Sequence, residues 1–519
     1  MPKLTIDHRE VEVPDGATVL EAAQKLGIDI PALCFRRGCT PSTSCLVCMV
    51  RIGDDHRLAP SCATVATEGM QVESETEAVH QVRRTALELL LSDHLGDCLA
   101  PCQLGCPTQM DIPTMLRQIA SGDFHEAIAT IKRDIAMPAA LERICSAPCE
   151  KVCRRGDLDD AVGIRLLTRL VADRDLASDE PFVPESEPST SKCVAIVGAG
   201  ITGLSAAYYL CRFGHACDVF DENSTLGGRL LRETTEAELP REVLQAEIAM
   251  IERQGAALHS GAWISAEPGL TDLRARFDVV LLACGTTASQ QAPGWNLPAT
   301  QRGISVDPHT YETELSEVFA AGGAIRPKTT ARRSAADGKE AAMAIDQYLR
   351  SLTVVGRPKP FSTKIGRMHG EELLRFAEGA DVAPRRAPAD GLTPEEGAVQ
   401  AARCLHCDCR GLTSCKLRTY AARYEANPRR FKSQRREYQH DTRHAEILYE
   451  PGKCIGCGLC IQIASAAGEP LGLTFVGRGF DVRVAVPLDR PLDEAITKAA
   501  ADCVAACPTA ALAWKHREK

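Results

Sequence analysis

The 519-residue chain contains 24 cysteines, and 18 of them fall into four spaced groups. Thiolates are ligands for soft metals, above all iron–sulfur clusters and zinc. The first group, Cys34, Cys45, Cys48 and Cys62, has the spacing C-x₁₀-C-x₂-C-x₁₃-C. Two sulfide-bridged irons need four thiolates, and a loop carrying three of them wraps round such a pair. The second group is two trios, Cys98, Cys102, Cys106 and Cys145, Cys149, Cys153, each recurring every fourth residue. Each trio lies along one face of a helical turn and cannot close a four-ligand cage alone; two trios brought together by the intervening helices can. The third group is Cys404, Cys407, Cys409 and Cys415, C-x₂-C-x-C-x₅-C. Four thiolates this close can close one site locally, for either a [4Fe–4S] cluster or zinc, and His406 beside them is superfluous.

The fourth group starts as a bacterial ferredoxin run would, with Cys454, Cys457 and Cys460, but Ala464 stands where the fourth cysteine belongs. In two-cluster ferredoxins the last cysteine of each run ligates the other run's cluster. Cys507, just before Pro508, ends such a second run. Its earlier positions are Thr497 and Ala500, and Cys503 is left alone. The places serving one cluster are empty and those serving the other are full, so one [4Fe–4S] cluster is expected on Cys454, Cys457, Cys460 and Cys507. The six remaining cysteines, Cys39, Cys193, Cys211, Cys217, Cys284 and Cys503, read as small buried hydrophobes.

A different chemistry begins at KCVAIVGAGITGLSAAYYL. A strand runs into Gly198, Gly200 and Gly203, and a helix follows. The first two glycines permit a tight turn and close approach to a pyrophosphate; the third lets helix and strand pack. The second strand, CDVFD, ends in Asp221, which can bind a ribose hydroxyl. GGRL supplies Gly228 and Arg229, and VFAAGG supplies Gly322.

The elements that must position these groups divide the chain. KLTIDHREVEV alternates as a strand, ATVLEAAQKLG reads as a short helix, and a ferredoxin-type β-grasp domain over 1–77 follows. Helical patterns fill 78–177, the helical iron–sulfur domain. Residues 178–191 read as a linker and 192–350 as a Rossmann-like domain. A connector, 351–395, precedes a four-cysteine segment, 396–445, and a ferredoxin-like domain, 446–519. The fold class expected is therefore multidomain, α/β and α+β. The basic run RRFKSQRREYQHDTRH at 429–444 reads as a solvated face, with docking to an acidic partner subunit as the alternative.

Composition bounds the rest. Hydrophobic residues make up 45% and charged residues 25%, ordinary for a globular protein. The net charge of −9 argues against nucleic acid as the main partner. No apolar run suits a membrane span, and the N-terminus has no signal-peptide pattern. Metal-type cysteine spacing without an export signal points to a reducing, cytoplasmic setting.

Three resemblances sharpen this reading. The first cysteine spacing resembles the [2Fe–2S] domain of the large iron–sulfur subunit of NADH dehydrogenase (complex I) and of iron hydrogenases. Cys106-Pro107 before an IP helix, with C-x₃-C-x₃-C before a glycine, resembles the iron–sulfur domain of the glutamate synthase small subunit and dihydropyrimidine dehydrogenase. That family holds two [4Fe–4S] clusters with ligands exchanged between its cysteine runs. The complex I subunit places a histidine ahead of a cysteine trio, which nominates His94. The resemblance implies His94, Cys98, Cys102 and Cys153 on one cluster and Cys106, Cys145 and Cys149 on the other. Where the family offers Gln or Glu as the last ligand, this chain has Thr168 or Arg169. GGRL, FDVVLLACGT and VFAAGGAIR resemble the FAD domain of the same family, and imply FAD. Two departures stand out. Gly323 replaces the family's flavin-contacting Asp, and only about 30 residues separate Gly285 from the VFAAGG strand, too few for the family's inserted NADPH domain. The C-terminus resembles a one-cluster derivative of the ferredoxin domain in complex I and iron hydrogenases.

The expectation is an oxidoreductase electron-transfer subunit of the hydrogenase, formate dehydrogenase or NADH dehydrogenase kind. Its cofactors would be one [2Fe–2S] cluster, two to four [4Fe–4S] clusters and FAD. Its partners would be catalytic or NAD(P)H-oxidising subunits, or ferredoxin. The alternatives are a self-contained FAD-dependent reductase of a small molecule and a non-catalytic scaffold with a lapsed flavin site.

Overall fold

The computed structural model describes residues 1–53, 56–264, 269–388, 391–431 and 435–515. Lys432, Ser433 and Gln434 of the basic run lie outside the described residues. The chain forms two compact units. One comprises Met1–Ala100, Pro360–Glu378 and Cys407–Lys519; the other comprises Pro101–Lys359 and Gly379–His406. Packing therefore does not follow the serial order of segments expected from the sequence. The four-cysteine segment in particular is divided, with Cys404 in one unit and Cys407, Cys409 and Cys415 in the other.

In the first unit, Lys3–Ile6 pairs antiparallel with Arg9–Glu12 and parallel with Gln71–Glu73. Gln71–Glu73 pairs with Met49–Ile52, which pairs with Arg57–Pro60. Alternation along the first strand turns Leu4 and Ile6 into the core. The helix Val19–Lys25 starts at a capping box between Thr18 and Glu21 and buries Val19, Leu20, Ala22 and Ala23. This is the β-grasp arrangement. The helix Glu77–Ser92 follows, capped by Thr76.

The end of the chain forms an antiparallel pair, Ile447–Tyr449 with Leu512–Trp514, and two helices, Leu459–Ala466 and Ala500–Ala506. One apolar core runs from Leu33, Cys34 and Val47 through Leu87 and Leu91 to Leu417, Leu459, Ile463 and Cys503. That shared core is why the first and last segments form one body. Arg83 clamps it: fully buried, it donates to the Met49 carbonyl at 3.1 Å and to Tyr424 Oη at 2.8 Å. The described arginines of the basic run serve the same unit, pairing Arg430 with Glu88, Arg435 with Glu372 and Arg436 with Asp93.

In the second unit, the short helices Pro101–Gly105 and Pro148–Lys151 carry Cys102 and Cys149, and the helix Ile112–Ala120 begins at Asp111 with proline in its first turn. A five-stranded parallel sheet follows, ordered Val318–Ala320, Val279–Leu282, Cys193–Val197, Ala216–Asp221, Ala256–Ser260. Its central strands are continuous apolar runs, as parallel strands buried on both faces must be. The helices Ile201–Arg212 and Ala331–Leu349 pack side by side. Gly338 permits their approach, since a Cβ there would meet the Thr202 carbonyl at 2.3 Å. Between Leu282 and Val318 the described residues form only short helical turns and the small hairpin Ala299–Thr300/Gly303–Ile304, closed over the buried Trp295. No second parallel sheet is present there among the described residues, and none of the described helices is long and apolar enough to cross a membrane.

Candidate functional site

The glycine loop opens a cleft of about 360 Å³, lined by Gly198, Gly200, Asp221, Gly228, Arg229 and Gly323 among others. Gly198 has φ +109°, and a Cβ would meet the Ala283 carbonyl at 2.6 Å. Gly203 lies against the strand end: its Cβ would fall 1.9 Å from the Gly198 carbonyl. Gly200 has nothing within 4 Å of a Cβ and lines the open cleft. Gly322, at φ +65°, packs on Thr202. The Asp221 carboxylate accepts from the Ala199 N–H at 2.7 Å and from the backbone and side chain of Asn223. It thereby holds the loop as well as facing the cleft, and Glu222 lines the cleft next to it. Arg229 is held by Glu233 at 2.7 Å. The cradle fits the dinucleotide portion of FAD, with N–H groups and a helix start facing a pyrophosphate. At Gly323, a Cβ would lie 3.0 Å from Gly285 Cα. The backbone of the shortened segment occupies the room that an aspartate would need.

In the first unit, Cys34, Cys45, Cys48 and Cys62 converge. Cys34 Sγ and Cys45 Sγ are 3.3 Å apart, and all four are buried. Thr43 and Leu46 both adopt left-handed conformations, folding the loop back on itself. Hydrogen bonds from Cys45 and Cys62 hold the Cys34 thiol well below its usual range, and one from Cys62 brings Cys48 down to about 7. Two thiols that readily lose protons beside two that keep them form a set primed to bind metal with proton release. Four sulfurs in a shielded loop fit a [2Fe–2S] cluster.

A second gathering centres on His94. The Cys409 N–H donates to the Cys98 carbonyl at 3.1 Å, and Leu95 N–H donates to the Gly452 carbonyl at 2.7 Å. Thr363 Oγ1 lies 3.3 Å from Cys98 Sγ and donates to the Gly96 carbonyl. Cys415 caps the helix Lys416–Arg423, and burial pushes its thiol up to about 12, with Cys409 and Cys98 close by. Lys453 Nζ is 4.0 Å from Cys409 Sγ and pairs with Glu450. Burial opposes its charge, but Cys409 and Glu450 hold Lys453 protonated. Burial and the Lys453 ammonium hold His94 down at about 3, so its imidazole is neutral, and its enclosed Nδ1 has no partner among the described residues. Neutral imidazole and thiolate are donor types that clusters and zinc take. Cys409 and Cys415 thus lie near Cys98 as well as within the 404–415 run.

The third site is a small enclosed cavity lined by Cys454, Cys457, Cys460 and Cys507 with Tyr449 and Leu512. Backbone N–H groups of Gly456 and Leu512 point at Cys454 and Cys507 sulfurs, each at 3.4 Å. Burial raises Cys454 and Cys460 and brings Cys457 up to about 12. Ala464 is fully buried, and Cys503 is packed beneath Cys460. Where a second cluster would sit, Glu469 accepts from Thr497 Oγ1 and from the N–H groups of Lys498 and Ala499. The carboxylate ties down the turn that leads into the helix Ala500–Ala506. Nothing in the sequence pattern announces Glu469.

In the second unit, Cys106, Cys145 and Cys149 are neighbours. Burial raises Cys149, and Cys106, Glu142 and Cys145 add to the effect. Cys106 Sγ is 3.2 Å from Thr108 Oγ1. Thr168 donates to the Ile164 carbonyl and Arg169 pairs with Asp173, so both candidates for a last ligand are engaged elsewhere. Arg155 donates to the carbonyls of Asp381 and Arg403 at 2.8 and 2.9 Å, tying the turn after Cys153 to the turn before Cys404. Cys102 lies in the helix Pro101–Gly105, one turn before Cys106, and Cys407 is half-buried in the other unit.

Three stretches of the chain match known protein families. Residues 2–77 match the 2Fe-2S iron-sulfur cluster binding domain family, 70–180 the 4Fe-4S domain II of dihydropyrimidine dehydrogenase, and 162–344 the pyridine nucleotide-disulphide oxidoreductase family. The chain is 32% identical over 213 residues to the NADP(+)-dependent formate dehydrogenase subunit beta of Moorella thermoacetica, covering 37% of this chain and 30% of that protein. Over 193 residues it is 33% identical to the NADPH-Fe(3+) oxidoreductase subunit beta of Geobacter sulfurreducens, covering 37% and 29%. It is 32% identical over 200 residues to the glutamate synthase [NADPH] small chain of Mycobacterium tuberculosis, covering 38% and 41%. The chain spans less than half the length of each of these relatives. It carries, in order, a [2Fe–2S] domain, a [4Fe–4S] domain and a flavin- and pyridine-nucleotide-type oxidoreductase domain.

Proposed function

We propose that this chain is the electron-transfer subunit of a multisubunit oxidoreductase of the hydrogenase, formate dehydrogenase or NADH dehydrogenase kind. The observation that carries this reading is the parallel sheet itself. It forms one dinucleotide cleft, and the short Leu282–Val318 connection builds no second one among the described residues. A chain with a flavin cradle, several cysteine cages and a single nucleotide cleft relays electrons to and from partners. Clusters pass single electrons, and a flavin takes one or two.

The geometry supports the following ligand sets. Cys34, Cys45, Cys48 and Cys62 hold a [2Fe–2S] cluster. His94, Cys98, Cys409 and Cys415 hold one [4Fe–4S] cluster, and Cys454, Cys457, Cys460 and Cys507 another. Cys106, Cys145 and Cys149 supply three ligands to a further centre. Gly198, Gly200, Gly228 and Arg229 seat FAD, with Asp221 and Glu222 beside its ribose. The pyridine nucleotide is oxidised on a partner chain.

The test is anaerobic purification of the chain alone and with its partner subunits. Iron, sulfide, zinc and flavin are quantified, and NADH- and NADPH-dependent dye reduction is measured. Iron and flavin in the lone chain, with rapid dye reduction only in the complex, support the reading. Rapid NADPH oxidation by the lone chain, or an iron-poor protein, overturns it.

A further inference from the structure

Arg332 is buried in the second unit, 5% exposed, on the first turn of the helix Ala331–Leu349. Its Nη2 donates to Glu142, which is 2% exposed. Its Nε and Nη1 have no partner among the described residues. Buried guanidinium donors left unpaired are costly, and native structures rarely keep them without an acceptor. The groups that face them are sulfurs. Cys106 and Cys145 lie close to Arg332, and Cys145 is within hydrogen-bonding reach. Cys149 lies close enough to Glu142 for the carboxylate to raise its thiol. Three thiols, a carboxylate and a guanidinium with two free N–H groups therefore share one dry pocket. Two residues further along the same helix, Ser334 lines the dinucleotide cleft.

We propose that Arg332 donates hydrogen bonds to sulfur in a metal–sulfur centre held by Cys106, Cys145 and Cys149, and thereby makes that centre easier to reduce. The proposal rests on the reading that this trio holds a cluster. Reduction adds one negative charge to the centre. Fixed N–H donors and a nearby cation stabilise the charged form more than the oxidised one. Glu142 is the positioning residue: it occupies Nη2 and so fixes the guanidinium plane, leaving Nε and Nη1 toward the thiols. Its own negative charge partly offsets the arginine. The two residues should therefore act on the potential with opposite sign, which a role confined to packing would not produce.

The experiment is redox-poised EPR on the anaerobically purified full chain, with iron and flavin quantified alongside. Cys149→Ser identifies which signal belongs to the trio. Arg332→Met is expected to lower the midpoint of that signal alone. Arg332→Lys, which keeps the charge but loses the fork of donors, is expected to fall between it and the wild type. Glu142→Gln is expected to raise the midpoint. If Arg332→Met loses iron, the Lys and Gln variants decide by the direction of their shifts. An unmoved midpoint in the Arg332 variants that retain iron, or shifts of the same sign in Arg332→Lys and Glu142→Gln, overturns the proposal while the cluster stands. A Cys149→Ser protein with undiminished iron and every signal intact overturns the cluster reading, and the proposal with it.

Discussion

The backbone N–H of Cys409 donates to the carbonyl of Cys98 at 3.1 Å, although most of the second unit lies between them in the chain. His94 stands four residues before Cys98, and Cys415 follows six residues after Cys409. One site is thus assembled from segments that lie far apart in the sequence.

This grouping predicts which cysteines share a signal. Cys98→Ser, Cys409→Ser and Cys415→Ser are expected to abolish or alter one and the same EPR signal and to remove about the same amount of iron. His94→Ala joins that set. Cys404→Ser tests the alternative of a local four-cysteine site. A shared loss in Cys404→Ser and Cys409→Ser, with Cys98→Ser unaffected, would restore the local four-cysteine site.

The glycine loop predicts a separation of binding from folding. A Cβ at Gly200 meets nothing within 4 Å, whereas at Gly203 it falls 1.9 Å from the Gly198 carbonyl. Gly200→Ala should keep the melting temperature of flavin-free protein and lower flavin occupancy roughly tenfold, about 1.4 kcal/mol of binding. Gly203→Ala should lower the melting temperature as well, because helix and strand must separate to admit the methyl. Flavin absorbance after desalting and thermal unfolding of the apoprotein distinguish the two.

These contrasts show where the sequence speaks plainly. The Gly198–Gly203 turn, the strand before it and the capping box at Thr18 are local: a few neighbouring residues dictate each, so spacing alone reveals them. The meeting of Cys98 with Cys409 is not local, because it depends on a whole unit folding between them and on the core that joins Leu33 and Leu87 to Leu417 and Leu459. Cysteine spacing within 404–415 suggests a local cage, but it gives no sign that Cys409 also meets Cys98. Arg332 and Glu142 were illegible for a related reason. A single arginine in a helix looks like surface, and only the fold shows that it is buried against thiols.

Glu469 predicts what a restored cysteine would do. Its carboxylate takes the Thr497 hydroxyl and the N–H groups of Lys498 and Ala499, filling the end of the helix where a second cluster's ligands would stand. Ala464→Cys should therefore add no iron. Glu469→Ala should destabilise the chain by about 1–3 kcal/mol, the usual cost of leaving N–H donors without an acceptor. Denaturant unfolding of the two variants, with iron analysis of the first, checks both. A gain of iron in Ala464→Cys would mean that the second site persists despite Thr497 and Ala500.

Glu247 predicts a pH dependence of stability in the second unit. Its buried carboxyl accepts from the N–H groups of Ala139 and Ala140 at 3.3 and 3.5 Å, yet burial pushes its pKa up to about 8. The folded state therefore holds a proton that the unfolded chain, with an ordinary glutamate pKa, releases above about pH 4.3. Below that value both states are protonated and the group's contribution is fully present. As pH rises toward 8 it is lost, because ionising in place is costly and unfolding becomes the easier way to release the proton. The total lost is on the order of a few kcal/mol, since each pKa unit corresponds to about 1.4 kcal/mol. Glu247→Gln keeps a neutral acceptor for the two N–H groups at every pH. Its melting temperature should match the wild type near pH 5 and exceed it increasingly up to pH 8, then run parallel. A wild type that instead gains stability relative to the variant as pH rises would show that Glu247 is ionised in the fold, with Lys132 as the cation that stabilises it.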